Sequence, residues 1–212
     1  MPFTRLELVV LGLVDGELHV LLAKRAGDPF KGRWALPGGV LRIDLDESLE
    51  AAAQRVAQER LGCHLPFLRQ FCAVGGPQRD AQRSSWALSI VYRALVDAAS
   101  FDPAGGKRVE ALAWQPVDKA SRDRTLAFDH AEIIGRAVEA TRQEVRNLEL
   151  PRGFIPGRFT LGELQSLCEQ LLGELLDKSS FRRRLADRQL VEPVEGEMRT
   201  GAYRPAQVFR LK

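Results

Sequence analysis

Two stretches of this chain are dense enough in reactive side chains to do chemistry. In the first, GGVLRIDLDESLEAAAQRVAQERLGC (Gly38–Cys63), Glu47, Glu50 and Glu59 lie on or beside a segment with apolar residues at Leu49, Ala52, Ala53, Val56, Ala57 and Leu61. That spacing predicts a helix over Glu47–Leu61, stopped by Gly62. Carboxylates on one helix can hold a hard divalent cation, and Glu47, Glu50 and Glu59 form an irregular set of this kind able to support metal-assisted hydrolysis. Arg60 follows directly, and a guanidinium can instead grip phosphate without a metal. In the second stretch, DKSSFRRRLADR (177–188), Lys178, Arg182, Arg183 and Arg184 accompany Ser179 and Ser180, with Arg199 and Arg204 further on. Such groups suit a phosphate backbone. A charge run is also the ordinary face that a helix shows to water, so the elements that carry these residues decide between the two.

The upstream part reads as α/β. Leu6–Leu13 and Leu18–Lys24 are apolar runs separated by Asp15-Gly16, a hairpin signal. Trp86–Val96 and Arg108–Trp114 read as strands. His130–Leu148 has apolar or small positions at Ile133, Ile134, Ala137, Val138, Thr141 and Val145, the period of a helix. Pro151–Pro156 (PRGFIP) interrupts both periods and marks a junction, giving domains 1–150 and 151–212. Beyond it, Thr160 and Glu163 form a capping box opening a helix to about Leu172, with Leu161, Leu164, Leu167, Cys168 and Leu171 on one face and Gly173 as the stop. Asp177 can cap a second helix to about Arg188, with Phe181 and Leu185 facing inward. Short strands at Leu190–Pro193 and Ala206–Leu211 flank a polar loop with Gly196 and Gly201. Helix, turn, helix and a two-stranded wing outline a winged helix. Successive helical residues are about 100° apart, so Arg182 to Arg184 cannot share a direction; at least one is expected on phosphate and one paired with an acid of the protein.

Composition narrows the class. Of 212 residues, 45% are apolar and 28% charged, enough to bury a core. Residues 151–212 hold 11 Lys and Arg against 8 Asp and Glu, a net of +3, which leaves 20 of each upstream. The whole excess lies in the downstream segment, which points to a polyanionic partner there. The three cysteines, Cys63, Cys72 and Cys168, have no CxxC spacing; this argues against a zinc site or disulfide framework and suits a reducing, cytoplasmic setting. The opening MPFTRLELVVLGLVDGELHV is broken by Gly12, Asp15 and Gly16 and does not read as a signal peptide. No segment approaches the ~20 apolar residues of a membrane span.

Gly38–Cys63, with the preceding RWALPGG (Arg33–Gly39), resembles the Nudix box G-x5-E-x7-R-E-U-x-E-E-x-G-U, where U is a bulky apolar residue. Glu47 stands as the first glutamate, with seven residues between it and Arg55, and Gly62 as the closing glycine. The chain departs from the pattern in three ways: Val56 replaces a glutamate, Arg60 replaces the second of the late pair, and two extra residues lie between Gly39 and Glu47. Active members hold divalent metal on these glutamates beside a diphosphate, so the resemblance implies a site that has lost normal hydrolysis and has no metal or catalytic residue. Phe71–Leu95 and LAFDHAEII (Leu126–Ile134) resemble the branch containing Nudix-related transcriptional regulators, and Phe159–Pro193 resembles their winged helix, whose second helix begins D-K-x-x-F-R-R.

The resemblance implies an α/β Nudix-type α/β/α sandwich followed by a small winged-helix (α+β) domain. It implies a repressor of NAD-metabolism or pentose-use genes, released by ADP-ribose or a related nucleotide acting as effector, with no cofactor required. Gly38, Gly39, Glu47, Glu59, Arg60, Arg79, Asp80, Phe128, Asp129 and His130 are the effector-site candidates; for His130 a capping or packing role at a helix start stays equally open. Lys178, Ser179, Ser180, Arg182, Arg183, Arg184, Arg199 and Arg204 are the candidates for contact with double-stranded DNA. A homodimer on a palindromic operator is expected, as helix-turn-helix proteins of this size usually read two-fold symmetric sites, and no membrane partner is. The rival expectation is a Mg2+-dependent Nudix hydrolase of a nucleoside diphosphate derivative.

Overall fold

The computed structural model describes residues 3–77, 79, 86–151, 154–200 and 205–212. Its contacts divide the chain into two compact units, Met1–Ala140 and Thr141–Lys212, the division falling upstream of the Pro151 junction.

The first unit is built on a mixed seven-stranded sheet. β1 (Phe3–Val14) and β2 (Glu17–Arg25) form the expected hairpin, and both Asp15 (φ 50°) and Gly16 (φ 82°) take the left-handed conformation that a tight hairpin turn requires. β1 also runs parallel to β6 (Ala87–Val96) from Phe3↔Ala87 to Gly12↔Val96. A strand covered on both faces should be nearly continuously apolar, and Arg5–Gly12 is buried throughout. Two charged residues interrupt that run, Arg5 and Glu7. β2 pairs with β7 (Val109–Pro116) and with β3 (Trp34–Ala35). β4 (Gly38–Val40) lies against the start of β1, with Gly38 opposite Glu7. β5 (Arg69–Gly76) pairs with β6.

α1 (Leu49–Leu61) starts two residues later than expected, because the Ser48 hydroxyl accepts from Ala51 N and makes Ser48 the cap. Glu47 is therefore left outside the helix. Gly62 ends it at φ 68°. The inner face of α1, including Val56, packs on Leu6, Leu8, Val10, Ile90 and Tyr92. α2 (Val117–Ala120) is a single turn, and α3 (His130–Arg146) begins at the predicted residue.

In the second unit, β8 (Phe159–Thr160), β10 (Ala206–Leu211) and β9 (Val191–Arg199) form a three-stranded sheet in that order. α4 (Leu161–Leu172) carries the predicted capping box and ends at Gly173, φ 73°. α5 (Lys178–Asp187) is capped by Asp177 and anchored by the buried Phe181 and Leu185. The wing corrects one reading: Gly196 lies inside β9 rather than in a loop, at φ 72°. The strand can carry it because β9 is a half-exposed partner of β10 with an irregular register. Gly201 lies outside the described residues. Among the described residues no helix is long and apolar enough to cross a membrane.

Candidate functional site

A cavity of about 420 Å3 opens between β2, β4 and the end of α1. Among the described residues its charged lining is Arg5, Lys24, Arg25, Arg60, Arg108 and a single acid, Asp28. Lys24 is already paired with Glu110 (2.6 Å). The excess of guanidinium over carboxylate makes the cavity suited to an anion, and the volume is that of an ordinary small-molecule site.

Arg60 is at the centre of this arrangement. Its Nε donates to Gly38 O and its Nη1 to Lys107 O, both at 2.8 Å. Burial holds its guanidinium below the usual value, opposed by the field of Glu59; it remains a cation at physiological pH. Gly38 and Gly39 allow the backbone to pass here. A Cβ on Gly38 would lie 2.1 Å from Glu7 Oε2 and one on Gly39 2.8 Å from Val56 Cγ2, so neither position has room for a side chain.

The carboxylates do not converge. Glu59 is held by Arg55 (3.4 Å) and Arg60 (3.8 Å). Glu50 accepts from Tyr92 Oη (3.1 Å). Glu47 is exposed, ahead of the Ser48 cap, and does not line this cavity. Its neighbour Asp46 makes the structural contact instead, a bidentate pair with Arg55 at 2.6 and 2.8 Å. The Arg55 hydrogen bonds hold the Asp46 carboxyl below its usual range. Among the described residues, no group of three or more His, Cys, Asp or Glu is placed to hold a metal ion.

Arg79, Phe128, Asp129 and His130 do come together, as a brace behind the cavity wall. Arg79 binds Asp129 through both carboxylate oxygens at 2.9 Å and also donates to Ser89 Oγ. Ser89 Oγ in turn donates to Glu7 Oε1 (3.3 Å), which also accepts from Arg5 Nε (3.0 Å). Phe128, at φ 56°, lies under Arg5 and Arg25, whose guanidinium carbons are 5.2 and 5.1 Å from the ring centre, close enough for cation–π attraction. His130 is fully buried. Its Nδ1 accepts from Leu36 N, a cavity residue, at 2.9 Å, which leaves any proton on Nε2. That atom faces Glu7 Oε2 at 3.7 Å, beyond hydrogen-bond reach but close enough for electrostatic attraction. The geometry gives His130 packing and bracing contacts at the head of α3. Asp80 lies outside the described residues.

The sequence pattern did not single out Arg5, Glu7, Arg25 or Arg108. Two charges inside the apolar run FTRLELVVLGLV are the one signal that could have found Arg5 and Glu7, since a buried charge needs a partner. Burial alone would raise the Glu7 carboxyl; the opposing fields of Arg5, His130 and Arg79 win and hold it at about 2.

The cationic run lies on α5, where the Asp177 carboxylate accepts from Ser180 N (2.8 Å) and fixes the first turn. Lys178, Ser179, Arg182 and Arg183 are exposed and Ser180 is half-buried. Arg184 departs from the expectation. It donates to the backbone carbonyl of Arg146 at 2.5 Å, because it is three residues beyond Phe181 and shares the inward face. Among the described residues it pairs with no acid, where one of the three arginines had been expected to. Arg199 pairs with Glu163 (2.5 Å), the same acid that completes the α4 capping box. Arg204 lies outside the described residues.

Comparison with known proteins follows this division. A family model described as the Nudix domain matches residues 4–137, and one described as the NrtR DNA-binding winged helix domain matches residues 152–211. The ADPR responsive transcriptional repressor NtrR of Acinetobacter baylyi is 32% identical over 210 residues, covering 99% of this chain and 82% of that protein. Shewanella oneidensis NrtR, crystallised with a 27mer DNA, is similar at a TM-score of 0.76 and 33% identity over 99% of this chain and 93% of that one. Its NUDIX domain in complex with ADP ribose is similar at a TM-score of 0.57 and 32% identity, over 66% of this chain and 88% of that one. An ADP-ribose pyrophosphatase of Methanocaldococcus jannaschii is 30% identical over 124 residues, 58% of this chain and 68% of that protein.

Proposed function

Because this chain belongs to the family of regulators that join a Nudix domain to an NrtR-type winged helix, we propose that it is a DNA-binding transcriptional repressor released by ADP-ribose or a close nucleotide relative. The Nudix fold followed by a winged helix is the architecture expected of it. Residues 1–150 serve as the effector-binding part and 151–212 as the DNA-binding part. It acts in the cytoplasm, as a homodimer on a palindromic operator, on genes of NAD metabolism or pentose use.

The observation that carries the effector reading is the cavity lined by Arg5, Arg25, Arg60 and Arg108, with Asp28 as the one acid among the described lining residues. A diphosphate brings two negative charges to such a lining, and guanidinium groups bind them with charge-assisted hydrogen bonds. Gly38 and Gly39 let β4 pack tightly against Glu7 and Val56 at the cavity wall. Glu59 stays on Arg55 and Arg60. The brace formed by Arg79, Asp129, Phe128 and His130 fixes the wall from behind.

The chain is not a hydrolase in this reading. Val56, where the motif has a glutamate, is a core residue of α1, and Arg60 presents a cation where the motif has a second one. The similarity to a pyrophosphatase is the observation favouring the rival. Incubation of the pure protein with ADP-ribose and Mg2+ separates the two: intact nucleotide is expected, and turnover to AMP would establish the hydrolase. The regulator itself is tested by a mobility shift with DNA from upstream of the protein's own gene and its neighbours. A specific, salt-sensitive shift is expected; its absence across those promoters would overturn the reading.

A further inference from the structure

Helix α5 packs one stripe of side chains on the protein and leaves a cationic side exposed. Phe181, Arg184, Leu185 and Arg188 recur at i, i+3, i+4 and i+7, which is a single stripe. Phe181 and Leu185 are buried on that stripe. The arginines on it are bound to backbone: Arg184 Nη2 donates to Arg146 O and Arg188 Nη1 to Asn147 O. Arg146 is the last residue of α3 and Asn147 follows it. The last carbonyls of a helix have no donor within the helix, and that end carries a partial negative charge that favours cations. The two guanidinium groups meet both needs. A further ion pair, Arg146 Nε to Glu174 Oε1 at 3.1 Å, ties the same end to the turn before α5. All of these residues belong to the Thr141–Lys212 unit. Ser179, Arg182 and Arg183 point away from that stripe, and Lys178 is exposed in the first turn of α5.

We propose that Arg184 and Arg188 are positioning residues that clamp α5 to the C-terminal end of α3, and so set the angle at which Lys178, Ser179, Arg182 and Arg183 meet DNA. The proposal rests on the reading of α5 as the recognition helix. Two buried side chains fix how deeply α5 sits, but they leave it free to roll about its axis; two hydrogen bonds a helical turn apart remove that freedom. A recognition helix that rolls keeps its phosphate attraction and loses its register on the base edges.

Salt dependence separates a clamp from a phosphate contact, because each phosphate neutralised contributes about 0.9 to the slope of log affinity against log salt. The full-length protein and its Arg184→Ala, Arg184→Gln, Arg188→Ala and Arg183→Ala variants are titrated with two duplexes. One covers the region upstream of the protein's own gene; the other is a scrambled sequence of equal composition. For Arg184→Ala and Arg188→Ala the expected result is an unchanged slope, with the ratio of specific to non-specific affinity lowered roughly tenfold or more from the ~10^3 or higher typical of such proteins. Arg184→Gln retains a donor without the charge and is expected to restore much of that ratio. Arg183→Ala is expected to flatten the slope by about 0.9 on both duplexes. The clamp is overturned if Arg184→Ala flattens the slope and spares the ratio, if it weakens both duplexes equally in step with a lost near-UV circular dichroism signal, or if Arg188→Ala binds as the wild type does. Failure of the wild-type protein to prefer its upstream duplex would instead overturn the recognition-helix reading itself.

Discussion

Arg60 is where the identity of one side chain matters most. It reaches the cavity with two guanidinium nitrogens already committed to Gly38 O and Lys107 O, so it meets a ligand from a fixed position. Hydrogen bonds to charged groups contribute about 1.5–3 kcal/mol, and Arg60→Ala is therefore expected to weaken ADP-ribose binding by roughly 10- to 150-fold by calorimetry; an unchanged affinity would remove Arg60 from the site. Glu7 makes a different demand. Its folded carboxyl is held at about 2 against an ordinary 4.5. A depressed carboxylate stabilises the fold above its unfolded value, and that contribution, on the order of 3 kcal/mol, is lost as pH falls from about 4.5 towards 2. Glu7→Gln should therefore lower Tm at neutral pH and flatten its decline over that window. A variant with the wild-type acid profile would show that Glu7 is not what titrates. Arg60, Gly38 and Gly39 could be read from the sequence because the motif numbers them. Glu7 could not be given a role, because its partners Arg5, Ser89 and His130 are brought together only by the β1–β6 pairing and the start of α3. The start of α1 was read at Glu47, but the Ser48 cap places Glu47 just ahead of the helix.

Among the elements, helices were legible wherever a cap or stop was written into the chain. Thr160 with Glu163, Asp177, Gly62 and Gly173 all act where they were expected to. The strands that were missed are short or half-exposed. β3 and β4 span two and three residues, too few to set a period, and β5 alternates weakly because it pairs on one side with β6. The cap at α5 makes a direct prediction. Asp177→Ala removes the acceptor for Ser180 N and should cost about 1 kcal/mol in denaturant unfolding of the full chain. It should weaken specific DNA binding as well, since Lys178 and Ser179 lie in the turn that frays. Stability and DNA affinity both matching the wild type would show that the first turn is held by other contacts. The sequence showed that Arg182 to Arg184 must diverge, and the spacing of Arg184 from Phe181 marks it as the one that turns inward.

For the whole molecule, the account requires that one chain hold a nucleotide and DNA with unequal preference. An effector can release DNA only by binding the released form more tightly than the DNA-bound form, and by linkage DNA must then weaken the effector to the same degree. The division of charge along the sequence had indicated a polyanion partner for residues 151–212; the effector side was legible only through the motif, because the cavity's arginines come from strands and loops far apart in sequence. The most direct test is to titrate ADP-ribose into a preformed complex of the protein with a labelled duplex from upstream of its own gene, and to follow fluorescence anisotropy with EDTA present. The account predicts a saturable fall to the value of free DNA, with no nucleotide consumed. Anisotropy that stays at the bound value while calorimetry shows ADP-ribose bound to the free protein would contradict it.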